Sequence, residues 1–297
     1  MKYFFYVLSQ LAILLTISSP ALCQHTEPLM LKVTYTFIYL YDTTNNTPAS
    51  ETEVILRIGK TNSKFNNAKL ESPQHLPVKQ SAISPNVNMN IKTVVGSPMV
   101  VVTSKEMNKE IIYQIPEENI IVKLNRLGFQ DYKIVTPFPK IDWKIWQDTK
   151  SIGGFVCQKA TGMFGGRLYT AWFAPDLPYK YGPWKLCGLP GLILEASDST
   201  HEVLFKFKEL IKPSDPEYII YDAIRPVSIK ENAFNKAKKQ YDKDPIAYST
   251  AQLKSDVAIS QIRFIDAAGN ILSGDAAKKA IKKEQAKTIT NPLEVEK

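Results

Sequence analysis

The sequence predicts a mainly β fold with minor α content: one large, curved antiparallel sheet or half-barrel carrying a single late helix. Three observations lead there. Apolar and polar residues alternate with period two near the start, a glycine pair separates two strand-like runs in the centre, and no helical signal appears before residue 228.

Taken in order, residues 1–23 carry Lys2, an apolar run over 11–17 and a small-residue exit at Ala21-Leu22-Cys23. This is the layout of a secretory signal, with cleavage expected before Gln24. The run is too short for a bilayer span of about 20 residues. Cys23 raises lipidation as an alternative, disfavoured because Leu22 is large where that processing wants a small side chain. After cleavage 297 − 23 = 274 residues remain, with no later run of membrane-spanning length. The expected organisation is a signal over 1–23, an antiparallel β domain over 24–225, and a helix with a Lys-rich tail over 226–297.

Val33, Tyr35, Phe37, Tyr39 and Tyr41 alternate with Lys32, Thr34 and Thr36, the pattern of a half-buried strand. Turn residues at 42–48 return the chain into a second strand over 53–58. Residues 60–90 are polar and without period, a long surface loop. Strand-like runs resume at 91–102, 110–115, 120–124 and 132–135. Residues 155–163 and 167–173 flank Gly165 and Gly166, which suit a tight hairpin turn. Residues 192–196 and 202–208 form a further pair, with Val203, Phe205 and Phe207 on one side and Lys206 and Lys208 on the other. Ser228 and Glu231 have capping-box spacing before a helix over 232–241, which Pro245 ends.

The net charge of +8 falls to +7 once Lys2 leaves, and the lysines are spread without interleaved aromatics. That is a solvated surface, and nucleic acid is not an expected partner. Three histidines, none at ligand spacing from a cysteine, argue against a metal, and no cofactor is expected. Cys157 and Cys187 are expected to form a disulfide in an oxidising compartment, with buried free thiols the alternative. No nucleophile elbow, zinc-protease helix or phosphate loop occurs, so no catalytic residue is assigned. Cys157 with His201, or Asp176 with Glu195, are the weak pairs on which an unrecognised hydrolase would rest.

Residues 143–198 hold a Trp143, an Asp148-Thr149-Lys150, a Cys157-Gln158-Lys159-Ala160, a Gly166-Arg167 followed by Trp172-Phe173, a Gly182-Pro183 and the hexapeptide Gly188-Leu189-Pro190-Gly191-Leu192-Ile193. This block resembles the GLPGLI family, named for that hexapeptide. Ser63-Lys64-Phe65 and Asn291-Pro292-Leu293-Glu294 extend the resemblance more loosely over about 31–295. The resemblance implies an exported protein of the Bacteroidetes envelope, in the periplasm or associated with the outer membrane, of no known activity. A second cysteine before the hexapeptide is not a family feature, so Cys187 and a bridge to it are not implied. Lipoprotein-carrier proteins offer a fold-level analogy, and a two-sheet sandwich is the competing architecture.

Two readings of the block stay open. The prolines fix and the glycines free the backbone, so Gly182, Pro183 and residues 188–193 suit a fold-defining corner. Alternatively Arg167, Trp172, Phe173, Tyr179, Tyr181 and Trp184 wall a groove for an apolar or peptide-like ligand or an outer-membrane transport component. Arg167 would pair with a neighbouring acid such as Asp148, or bind an anion. A non-enzymatic binding protein is the leading expectation, with a purely structural or assembly role and a hydrolase as alternatives.

Overall fold

A computed structural model describes residues 26–43, 49–71, 99–101, 110–220, 226–252, 263–265, 271–272, 276, 279, 293 and 294. The expected signal, and most of the expected 60–90 loop and 91–102 strand, lie outside the described residues. The strands are β1 (Thr26–Pro28), β2 (Leu31–Tyr39), β3 (Ser50–Ile58), β4 (Ser63–Asn67), β5 (Met99–Val101), β6 (Ile111–Ile115), β7 (Ile120–Leu127), β8 (Gln130–Pro137) and β9 (Lys144–Ile152). They continue with β10 (Phe155–Phe164), β11 (Arg167–Ala174), β12 (Leu192–Asp198), β13 (Val203–Ile211), β14 (Tyr218–Ile220), β15 (Val227–Ser228), β16 (Arg263–Ile265) and β17 (Ile271–Leu272). The helices are α1 (Glu231–Lys243) and α2 (Pro245–Ala251).

Twelve strands form one sheet in the order β15-β8-β7-β6-β4-β3-β2-β13-β12-β11-β10-β9, whose two end strands do not meet. The expected mainly β class holds, as an open sheet rather than a closed barrel. All its pairings are antiparallel except β15 on β8. The expected alternation in β2 is realised: Val33, Tyr35, Phe37 and Tyr39 are buried at 2 % exposure or less. Curvature follows from one contact. Phe65 on β4 and Phe205 on β13 stand three strand spacings apart, roughly 14 Å in a flat sheet, yet their ring centroids are 6.4 Å apart. The sheet therefore coils around its buried side chains, and that concave face is the main core.

Smaller elements close the remaining surfaces. The β1–β14 ribbon lays Leu29 and Ile219 over Tyr113 and Val122 on the opposite face of β6 and β7. At the β8 end, α1 packs Phe234 on Ile134 and Leu127. The hairpin turn is as expected: Gly165 and Gly166 have φ of +55° and +77° between the paired residues Phe164 and Arg167.

Three expectations need correction. The 60–90 stretch is not wholly loop, because Ser63–Asn67 forms β4, wedged between β3 and β6. The capping box is not formed: Ser228 belongs to β15, Lys230 is the N-cap without a side-chain cap, and the Glu231 carboxylate accepts instead from Lys123 on β7. Among the described residues two helices of defined bounds follow rather than one. Pro245 opens α2, since a proline suits a first helical turn and the Asp244 carboxylate accepts from the Ala247 amide at 2.9 Å.

Candidate functional site

The chain between β11 and β12 folds back onto the concave face of the sheet. Leu177 N–H donates to Ala174 O, and Leu192 N–H returns to Leu177 O at 2.9 Å, so the loop is closed at its neck. Gly188 N–H donates to Lys180 O and Ile193 N–H to Tyr181 O, lacing the two arms together. Gly191 lies so close to the chain that a Cβ there would sit 2.3 Å from Ala174 O. No other residue fits without moving backbone.

The tip of this loop is interior. Trp184, Leu186, Cys187 and Leu189 are each at 3 % exposure or less, and the Trp184 ring meets Phe164 edge-on at 5.4 Å. Trp184 also has φ of +57°, a left-handed backbone that costs a non-glycine residue about 1–2 kcal/mol. What holds it is Gln114 on β6, fully buried, whose side-chain amide donates to Trp184 O at 2.8 Å. Trp143 Nε1 donates to Cys187 O at 2.8 Å from the other side. Nothing in the sequence marks Gln114 or Trp143 as partners of the loop.

Of the six residues expected to wall a groove, most are packing residues. Phe173 is at 1 % exposure, Trp184 at 3 % and Tyr181 at 7 %, while Tyr179 is partly buried against the same core. Arg167 is also inside: its guanidinium donates to Asp198 at 2.6 Å and Glu202 at 3.1 Å, and it does not meet Asp148. Asp198 in turn accepts from the backbone amides of Glu202 and Val203 and from the Thr200 hydroxyl. Arg167 thus closes the β12–β13 turn from within.

Trp172, half-buried at the margin of that core, projects from the other face of β11. It pairs across the strands with Lys159 and Glu195 on the convex face, where Thr161 opposes Thr170 and Met163 opposes Leu168. Lys150 Nζ lies 4.6 Å from the centre of the Trp172 ring and pairs with Glu195. Trp146 on β9 belongs to the same surface. Its indole donates to the Thr161 hydroxyl at 3.0 Å, and Lys144 Nζ stands 4.0 Å over its ring. Met163 is 59 % exposed and Leu168 45 %. Tryptophan rings, lysines and uncovered apolar side chains therefore share one sheet face, a cation–π surface able to receive apolar and acidic groups together.

The expected disulfide is not formed: both cysteines are buried free thiols. Burial pushes the Cys157 thiol up to about 11 and the Cys187 thiol up to about 12, so neither is a thiolate nucleophile near neutrality. His201 lies in the β12–β13 turn, where its amide donates to Asp198 O. Among the described residues no group of histidine, cysteine and carboxylate side chains could hold a metal ion, and no helix is long and apolar enough to cross a membrane.

A family model described as "Protein of unknown function (Porph_ging)" matches residues 166–195, from the hairpin glycine through β11 and the hexapeptide to Glu195. No curated protein matches the chain. Two solved structures described as PNGF-II, in P21 and C2 space groups, are similar at 14 % and 13 % identity, each with a TM-score of 0.47. They cover 70 % and 69 % of this chain, which spans 32 % of theirs, about a third of their length.

Proposed function

We propose that the chain is an exported envelope protein of the GLPGLI kind that binds a protein partner, without catalysis, through the convex face of β9 to β12. The observation carrying this reading is the segregation of aromatics within one block. Trp184, Tyr181 and Phe173 are packed inside, whereas Trp146 is exposed and Trp172 only partly buried, each under a lysine on the opposite face. A tryptophan on a convex sheet face contributes little to a core and much to a contact. We assign the hexapeptide the other role weighed for it, that of a structural corner, because Leu189, Leu192 and Ile193 face inward and its last two residues pair with β11. An outer-membrane component with an acidic, partly apolar surface is the partner that this face suits.

The reading is tested by placing a photo-crosslinking side chain at 163 or 168 in cells, with position 135 on β8, itself 48 % exposed, as the control. A discrete adduct from 163 and 168, lost on Trp172→Ala, supports the proposal. No adduct, or equal adducts from 135, sinks it.

A further inference from the structure

The twelve-stranded sheet has two ends, and they are finished differently. At one, β15 adds two residues to β8 and α1 lies against the same strand. At the other, β9 has no outer neighbour among the described residues, and all eight residues from Lys144 to Ser151 are exposed. Such an edge offers unpaired backbone donors and acceptors to any strand that fits.

The hairpin fixes which groups are on offer. Ile152 and Phe155 flank the two-residue turn Gly153-Gly154 and form its closing pair. Hydrogen-bonded and non-hydrogen-bonded pairs alternate from there, so Lys150 turns its amide and carbonyl inward to Cys157. Thr149 and Ser151 then turn theirs outward to the free edge.

The side chains discriminate among partners. An edge that only repels would carry one sign of charge, but β9 carries Asp148 between Lys144 and Lys150, and Asp148 makes no ion pair among the described residues. Consider a second β9 laid antiparallel alongside the first. An axis at Asp148 or Lys150 places a charge opposite itself, and one at Gln147 places Lys144 opposite Lys150. An axis at Trp146 would match Lys144 with Asp148, but it falls on the bulge where residues 146–148 all oppose Lys159. An axis at Thr149 avoids these faults. Its centre lies in the regularly paired part of the strand just past the bulge. It puts the outward Thr149 groups opposite their own copies, and sets Asp148, the last residue of the bulge, opposite Lys150 twice, in the closely spaced pairs about 4.5 Å apart.

We propose that β9 pairs antiparallel with β9 of a second copy about a two-fold axis at Thr149, joining two sheets through their free edges. The contact is isologous, so each copy contributes Asp148 to the partner's Lys150. It uses the strand edge rather than the convex face, and stands or falls separately from the partner-binding reading.

Sedimentation velocity over a concentration series tests it. The unmodified protein should form a dimer, and Asp148→Lys or Lys150→Glu should each weaken it at least tenfold. Mixing those two variants in equal amounts should restore it, because the mixed pair again sets opposite charges face to face. Thr149→Cys, with Cα atoms about 5.5 Å apart on the axis, should oxidise to a covalent dimer. This last variant decides the matter if Lys150→Glu, which also loses Glu195 and Trp172, fails to fold. A protein that stays monomeric to about 1 mM, a dimer indifferent to both charge changes, variants that do not complement, or a Thr149→Cys chain that forms no dimer would each overturn the proposal.

Discussion

Gln114 and Trp184 lie seventy residues apart, and the side-chain amide of one donates to the carbonyl oxygen of the other over 2.8 Å inside the core. This bond ties the hexapeptide loop to the first half of the sheet and holds Trp184 in its left-handed backbone. Replacing Gln114 with Met keeps much of the volume and removes the donor, leaving a buried carbonyl unpaired. The expected cost is about 1–3 kcal/mol, read as a lower urea midpoint with an unchanged slope.

Gly191 and Gly154 separate two reasons for a glycine. A methyl at Gly191 would strike Ala174 O at 2.3 Å, whereas around Gly154, at φ +87°, a Cβ meets nothing within 4 Å. Gly154→Ala should therefore cost about 1–2 kcal/mol of backbone strain. Gly191→Ala must displace main chain at the neck of the loop and should cost about 3 kcal/mol or more. Thermal unfolding of the two variants side by side should rank them in that order, and the reverse order would refute the close-approach explanation.

Those contrasts show what the sequence could and could not disclose. Strands β2 and β13 are legible because alternate residues are buried on one face. β9 is not: its eight exposed residues have no pattern to match, and only pairing through the Gly153-Gly154 turn makes it a strand. The second helix was obscured because Pro245 reads equally as a stop or a start, a choice settled by the Asp244 carboxylate. Aromatic content located the important block but not its inside. Trp172 and Phe173 are neighbours on opposite faces, and composition is blind to which face is covered. The bridge failed for a related reason, since residue identity carries no distance.

The two thiols should behave as buried protonated groups. Neither should react with iodoacetamide at pH 8 in the native protein, both should react in denaturant, and reductant should leave the native mass unchanged. Their folded values of about 11 and about 12 exceed the ordinary value of 9.0, so their contribution to stability is present below pH 9. It is lost as pH rises from there through 11 and 12, because the unfolded chain sheds those protons first. A melting temperature that rises between pH 9 and 11 would contradict this.

Glu231 gives the acid counterpart. Burial pushes its carboxyl up, but the Lys123 ammonium outweighs burial and leaves it below the ordinary 4.5. A depressed carboxyl stabilises the fold above the unfolded value and loses that contribution as pH falls through the folded one. Amide exchange across α1 should therefore accelerate as pH falls below about 4.5, after correction for the intrinsic rate and ahead of β2. In Glu231→Gln that pH step should vanish.

Trp184 and Trp146 test the division between interior and surface within the same block. Trp184 fills the space between Phe164 and the loop backbone at 3 % exposure, so Trp184→Ala removes a large packed ring and should cost about 3–5 kcal/mol. Trp146 is 37 % exposed, with Lys144 over one ring face and a single bond to Thr161, and Trp146→Ala should cost under about 1 kcal/mol. The consequences for contact should be reversed. Trp146→Ala should keep a wild-type unfolding curve while losing the cross-link from position 163, whereas Trp184→Ala should lower stability and, in the folded fraction, leave that cross-link in place. If both variants lost stability alike, Trp146 would be part of the core, and the convex face would have no claim to a partner.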